Sequence, residues 1–204
     1  NGVVQMRGKL VLLKRGLVGF AAVLAVFVGI VVMRPNTFRV ERSISIAAPS
    51  SLAFSQVNDF QKWSGWSPWE QLDPKMKKSF EGAPSGSGAV YSWDGNDSVG
   101  AGQMTIVESR PDQLIRIKLE FFRPFAGISD TEFHFKPEGD RTLVTWRMAG
   151  DHTFLSKAIC LFMDMDRNLG GDFEKGLARI KAISEKSASS DAARADTPAV
   201  GIHR

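Results

Sequence analysis

A tryptophan-rich segment at residues 57–74 constrains the fold more than any other part of the chain. Trp63, Trp66 and Trp69 follow one another at three-residue intervals, and an indole ring carries a large apolar area that usually becomes buried. A glycine and two prolines interrupt the segment, so a regular helix cannot present all three rings on one face. We therefore predict a short, rigid aromatic turn that packs against a larger apolar surface.

The chain has 204 residues, enough for one domain with a substantial core and additional segments. Five of its 26 basic residues lie in the first 34 positions, which contain no acidic residue. The rest is nearly neutral, so we expect no nucleic-acid partner. Cys160 is the only cysteine, which excludes an intrachain disulfide and a cysteine-based zinc site. We predict neither a metal site nor a cofactor.

An uncharged apolar run occupies residues 16–33. At about 1.5 Å per residue it nearly crosses a hydrocarbon core, which takes about 20 helical residues. A cleaved signal peptide is the alternative, but its apolar region is usually only about 7–15 residues long. We predict a retained transmembrane helix at 16–33, preceded by a basic segment at 1–15. The excess of basic residues before the run predicts a cytoplasmic N-terminus and an extracytoplasmic domain, periplasmic in a bacterium.

Apolar and polar residues alternate in several short runs after this segment, as in half-buried strands. Turn signals such as Asp94-Gly95-Asn96-Asp97 separate them, and a short helix is expected after Pro49. Because the later runs follow one another with no helix between them, they predict an antiparallel meander. The predicted strands are 37–46, 78–81, 89–93, 102–109, 114–122, 131–136 and 143–149.

The apolar period changes to three and four residues between Leu155 and Lys186, which predicts one long amphipathic helix. Gly170-Gly171 weakens its middle and is a candidate position for a bend. The tail at 187–204 has few apolar residues and is predicted to be disordered. The folded domain is therefore expected to span residues 37–186.

Several motifs in this domain resemble the polyketide cyclase/dehydrase-like branch of the START/Bet v 1 (SRPBCC) superfamily. They are Ser-Ile-Ala-Ala-Pro at 45–49, the segment from Val57 to Pro74, Gly88–Asn96, Gly100–Met104 and Gly170–Leu177. The resemblance implies an α+β helix-grip fold, in which a curved antiparallel sheet surrounds a long C-terminal helix and an apolar pocket. It also implies lipid, sterol or aromatic polyketide ligands for many members and enzymatic activity for a minority. The superfamily has no universal catalytic motif, so no catalytic residue is predicted.

The candidate ligand-binding residues follow mainly from strand parity, because alternate residues of a strand share one face. The apolar set on each strand should face the helix and form an aromatic and methionine-rich surface. A filled core without a usable cavity is the alternative. The candidates are Trp66, Trp69, Trp93, Met104, Ile117, Leu119, Phe121, Phe133, Phe135, Trp146, Met148, Phe162, Asp166 and Phe173.

Asp166 is the one charged residue in this set. A continuous helix would place it between Ile159 and Phe173 on the apolar face, where a carboxylate is costly unless it is paired. It would then orient a ligand or act as a general base with a raised pKa. The alternative is a structural hydrogen bond with a strand backbone or a nearby arginine.

Three functions stay open at this point. The preferred one is a membrane-anchored module that binds a hydrophobic ligand, a lipid or an aromatic small molecule, because no catalytic constellation can be assembled. The second is a cyclase- or dehydratase-type enzyme. The third is an envelope scaffold whose cavity is filled and whose surface binds a protein.

Overall fold

The computed structural model describes the backbone of residues 2–161 and 164–195 and the side chains of residues 14–161, 164 and 166–194. These residues fall into two compact units. The first unit contains helices α1 (Gly2–Val32) and α3 (Phe154–Ile159). The second contains a sheet and helices α2 (Ser50–Val57) and α4 (Met165–Ala195).

In the first unit, α1 includes the apolar stretch predicted from sequence. Lys14–Val32 is long and apolar enough to cross a membrane, and it is the one such helix among the described residues. In α3, the N-cap Thr153 accepts a hydrogen bond from the Ser156 amide at 3.1 Å, which satisfies one of the free amides of a helix start. The Asn36 carbonyl accepts a bond from the amide of His152 at 2.6 Å.

The second unit is built on a seven-stranded sheet in the order β1-β7-β6-β5-β4-β3-β2. Neighbouring strands from β2 to β7 pair in antiparallel register. Two register shifts between β4 and β5 add to the bend of the sheet. The strands are β1 (Thr37–Ile46), β2 (Lys77–Gly82), β3 (Ala89–Asp94), β4 (Ala101–Arg110), β5 (Leu114–Arg123), β6 (Gly127–Glu138) and β7 (Arg141–Asp151).

The two faces of the sheet differ as the alternation predicted. On β5, Ile115, Ile117 and Leu119 are buried, as are Phe133 and Phe135 on β6. The opposite face carries ion pairs. Glu132 accepts hydrogen bonds from Arg116 at 3.0 Å and Arg147 at 3.1 Å. His134, which lies on the same face, is 2.9 Å from a carboxylate oxygen of Glu132.

Helix α4 covers the apolar face of the sheet. Phe173, Leu177 and Ile180 are at most 1 % exposed, which agrees with their predicted helical spacing. The architecture is therefore the predicted α+β helix grip: a curved antiparallel sheet with a long C-terminal helix, preceded by an apolar N-terminal helix.

The C-terminal helix differs from the prediction at both ends. Instead of one helix from Leu155, α3 ends at Ile159 and α4 begins at Met165. Asp164 stands before the first residue of α4, where aspartate is favoured, and a further aspartate lies in the first turn. The helix then continues through Gly170-Gly171 and past Lys186 to Ala195, so the predicted end is too early. In this extension, serine hydroxyls bond to carbonyls four residues earlier.

The tryptophan-rich segment forms two 3₁₀ helices, Phe60–Gly65 and Trp69–Gln71. The Trp63 indole donates a hydrogen bond to the Val57 carbonyl at 3.0 Å, and the Trp66 indole donates to the Gln56 carbonyl at 3.0 Å. Both rings are buried. Hydrogen bonding to the end of α2 therefore fixes a segment that cannot form a regular helix.

Candidate functional site

A cavity of about 150 Å³ lies within the second unit, between the apolar face of the sheet, the tryptophan-rich segment and α4. It is partly open, and most of its lining is aromatic or aliphatic. Eight of the predicted ligand-binding residues line it: Trp69, Trp93, Met104, Leu119, Phe121, Trp146, Met148 and Phe173.

Four other predicted residues lie in the core beside the cavity rather than on its wall: Trp66, Ile117, Phe133 and Phe135. They are correctly predicted to face inward, but they are at most 3 % exposed and do not line the cavity. Phe54 of α2 meets Phe135 edge-on at 5.5 Å between ring centroids. Helix α2 thus fills one end of the apolar face and leaves the other end open. Phe162 lies outside the described residues.

The structure overturns the predicted position of Asp166. Its side chain is 61 % exposed in the first turn of α4, because the helix starts at Met165 rather than continuing from Leu155. Arg42 of β1 donates to both carboxylate oxygens, at 3.1 and 3.0 Å. These bonds lower the pKa of Asp166 instead of raising it. The structural pairing with an arginine is therefore the alternative that the structure supports.

Trp146 is part of the cavity wall, and two phenylalanine rings stack on it. It stacks on Phe173 at 4.1 Å between ring centroids with the planes 5° apart, and on Phe133 at 4.7 Å. Trp66 and Trp69 meet it edge-on at 5.6 and 5.7 Å. Because four rings contact it, the indole cannot rotate without displacing them.

Two buried polar atoms, each on a residue that lines the cavity, have no hydrogen-bond partner among the described residues and almost no accessible surface of their own. They are the hydroxyl oxygen of Thr131 and the indole nitrogen of Trp146. The two residues are 4 % and 2 % exposed. Since a buried unpaired polar atom costs about 1–3 kcal/mol, such an atom calls for an explanation in a native protein.

A third polar group on the wall is already satisfied, and sequence reasoning missed it. Glu70, whose side chain is 8 % exposed, accepts a hydrogen bond from the Tyr91 hydroxyl at 2.7 Å and pairs with Lys78. Burial of Tyr91, followed by its bond to Glu70, raises the pKa of the phenol, so it stays protonated at neutral pH. Tyr91 is two residues before Trp93 and hence on the same face of its strand, so the alternation could have indicated it. Glu70 follows a tryptophan in a 3₁₀ turn, which has no apolar periodicity that could have indicated it.

Fold and cavity define the class of protein: a helix-grip domain with an apolar ligand-sized space. The family described as polyketide cyclase / dehydrase and lipid transport matches residues 37–185, and the chain belongs to this family. The family is of the SRPBCC type that the sequence motifs resemble. Among curated proteins, none matches this chain significantly.

Solved structures show the same fold at low identity. A protein from Chromobacterium violaceum is 17 % identical with a TM-score of 0.52, over 74 % of this chain and 99 % of that one. The Aha1 dimer protein from Colwellia psychrerythraea is 13 % identical with a TM-score of 0.52, over 72 % and 96 %. The di-domain ARO/CYC StfQ from the steffimycin biosynthetic pathway is 14 % identical with a TM-score of 0.56. That match covers 76 % of this chain and 52 % of the di-domain protein, about half its length.

Proposed function

We propose that this chain binds a small hydrophobic molecule in the cavity of its helix-grip domain, and that α1 holds the domain at a membrane. The observation that carries the proposal is the cavity itself. Aromatic and aliphatic side chains form most of its wall, and pockets of that composition are typical small-molecule sites. Membership of a family described by polyketide chemistry and lipid transport supports the same class of ligand.

The volume limits the size of the ligand. Sites for drug-sized molecules usually measure about 300–1,000 Å³, whereas an apolar cavity of about 150 Å³ in another protein holds benzene. The space here is about 150 Å³. We therefore propose a ligand whose buried part is one or two rings or a short acyl segment.

The membrane part of the proposal depends on α1. Lys14–Val32 has the length and composition of a membrane span, and four basic residues precede the apolar run. This arrangement supports a single-pass anchor with a cytoplasmic N-terminus. An anchored binding domain would take up its hydrophobic ligand close to the bilayer in which such a molecule accumulates.

The cyclase or dehydratase alternative has weaker support. Asp166, the base that it would have used, is exposed and paired with Arg42. Glu70 faces the cavity, but both of its carboxylate oxygens already have partners. A general base must reach the proton that it removes, so a binding role fits this arrangement better.

Equilibrium dialysis tests the proposal with the full chain in lipid nanodiscs. The probe is 2-methylnaphthalene. The second chamber contains empty nanodiscs of the same composition, so partition of the probe into lipid is equal on both sides. We expect an excess of probe on the protein side. Leu119→Trp, which places an indole in the cavity, should abolish this excess. Val107→Trp should keep it, because Val107 is 47 % exposed and outside the cavity.

Two results would refute the proposal. One is an absence of excess probe with the unmodified chain. The other is an equal excess with Leu119→Trp, once circular dichroism shows that this variant is folded. The second result would place the bound probe outside the cavity.

A further inference from the structure

Helix α3, in the first unit, begins with two large apolar side chains that are about half exposed. Phe154 and Leu155 are its first two residues, and they are 52 % and 49 % exposed. Single apolar residues are common on protein surfaces, whereas adjacent large ones are typical of a contact with another protein or with a membrane. The place of α3 within its unit favours one of these two contacts.

Helix α3 is held against the last turn of α1. The two helices are in contact, and Val31 is completely buried although most apolar side chains described in α1 are exposed. Asn36, four residues after the end of α1, bonds to α3 and to the residue before its N-cap. Its carbonyl accepts from the His152 amide at 2.6 Å, and its side-chain oxygen accepts from the Lys157 ammonium. Helix α3 therefore cannot leave the end of α1 without losing these bonds.

The length of α1 sets the depth of α3 in a bilayer. Lys14–Val32 has 19 residues, and at about 1.5 Å per residue it is about 28 Å long, close to the roughly 30 Å of a hydrocarbon core. Val31 is the last residue but one of this span. A helix that packs there lies where the hydrocarbon core meets the headgroups, and interfacial helices bury their apolar side chains about 5–10 Å into this boundary.

The first turn of α3 fits such a boundary because its backbone amides have partners. The Thr153 side chain accepts from the Ser156 amide at 3.1 Å, and the Thr153 carbonyl accepts from the Lys157 amide at 3.0 Å. Unpaired backbone groups would be costly next to lipid. A second protein would have to be recruited to this depth, whereas a bilayer is present whenever α1 spans one. Lipid is therefore the partner that the position favours.

We propose that α3 is an interfacial helix, and that Phe154 and Leu155 insert into the boundary between headgroups and acyl chains of the bilayer that α1 spans. This inference rests on the membrane part of the proposed function and adds a second membrane contact to it. Insertion removes apolar surface from water. Since α3 connects β7 to α4 in the chain, the domain would be attached to the bilayer at two points of its sequence.

Fluorescence quenching by lipids tests this contact with the full chain in nanodiscs. Cys160 is the only cysteine, so Cys160→Ser gives a parent chain in which one new cysteine can be labelled with the fluorophore NBD. The label is introduced with Leu155→Cys and, as a second position, with Phe154→Cys. The nanodiscs contain lipids that carry a nitroxide quencher either near the headgroup or near the end of the acyl chain. We expect both labels to lose emission, and to lose more of it with the quencher near the headgroup.

Two control positions give the results expected inside the bilayer and away from it. Val23→Cys labels the middle of the span, where the residue is 70 % exposed, and should lose more emission with the quencher near the end of the acyl chain. Val107→Cys labels a residue of β4 that is 47 % exposed, almost the same as Leu155. This label should keep its emission, because the proposal assigns it no lipid contact.

The outcomes separate this inference from the proposed function. If the Val23 label is not quenched, α1 does not span the bilayer, and the membrane part of the proposed function is refuted together with this inference. If the Val23 label is quenched while the labels on α3 keep their emission, this inference fails alone. It also fails if the Val107 label is quenched as strongly as the Leu155 label, because the quenching would then not depend on α3.

Discussion

Two glycines of α4 provide a direct test of how tightly Trp146 is held. A Cβ atom on Gly176 would lie 2.8 Å from Cζ3 of Trp146 and 3.4 Å from Cδ of Pro68. A Cβ atom on Gly171 would meet nothing within 4 Å. The variants Gly176→Ala and Gly171→Ala therefore introduce the same methyl group into one helix, one of them against a fixed ring and the other into open space.

The expected magnitudes follow from two opposing effects. Alanine is favoured over glycine inside a helix by about 1 kcal/mol, and this gain applies to both variants. Overpacking of a dense core costs about 1–3 kcal/mol, and this cost applies only where the methyl group meets Trp146. Gly171→Ala should thus raise the free energy of unfolding by up to about 1 kcal/mol. Gly176→Ala should leave it about 1–3 kcal/mol below that of Gly171→Ala.

Urea unfolding of the full chain in nanodiscs measures this difference. All five tryptophans lie between residues 63 and 146, so their fluorescence follows the domain and not the apolar helix. If Gly176→Ala is as stable as Gly171→Ala, the ring yields to the methyl group. The view that its neighbours hold the Trp146 ring rigidly would then be wrong.

Two further predictions concern ion pairs outside the cavity. Burial alone would raise the pKa of Glu132, but bonds with His134 and Arg116 outweigh it and lower the pKa below the ordinary 4.5. Its stabilising effect should be complete above about pH 4.5 and lost as the pH falls through the folded pKa. Glu132→Gln should therefore reduce the loss of unfolding free energy between about pH 7 and about pH 3.5, and an unchanged loss would contradict this assignment. Asp166→Asn should lower stability slightly, because Arg42 keeps its bond to Glu174, and should leave 2-methylnaphthalene binding unchanged in dialysis. Loss of binding would restore a ligand role for Asp166.

The parts of the fold that depend on local periodicity could be predicted from sequence. Alternation along the strands placed Leu119 and Trp146 on the inner face, and both are there. A three- to four-residue spacing likewise placed Phe173 and Ile180 against the sheet. Such patterns work because a side chain's direction is fixed by its position in a strand or helix.

The division of the inner face into a filled end and an open end could not be predicted in this way. Phe135 and Met148 both lie on the inner face of the sheet. Phe135 nevertheless packs against Phe54 of α2, whereas Met148 lines the cavity. The difference depends on where α2, a helix of eight residues, packs on the sheet. The alternation within the strands cannot predict that position. Glu70 was missed for a related reason, because a 3₁₀ turn has no long apolar period.

The cavity persists because the rings around it support one another. An apolar space inside a protein tends to collapse when its lining side chains are free to relax. Here Phe133 and Phe173 stack on Trp146, and the Trp63 indole is bonded to a backbone carbonyl. The same rigidity prevents the Trp146 N–H from finding a partner within the described residues. A void and an unpaired donor both cost stability, and this domain carries both around the same tryptophan residue. Such violations are expected at functional sites, and a hydrophobic ligand that fills the void would remove the cost of the void.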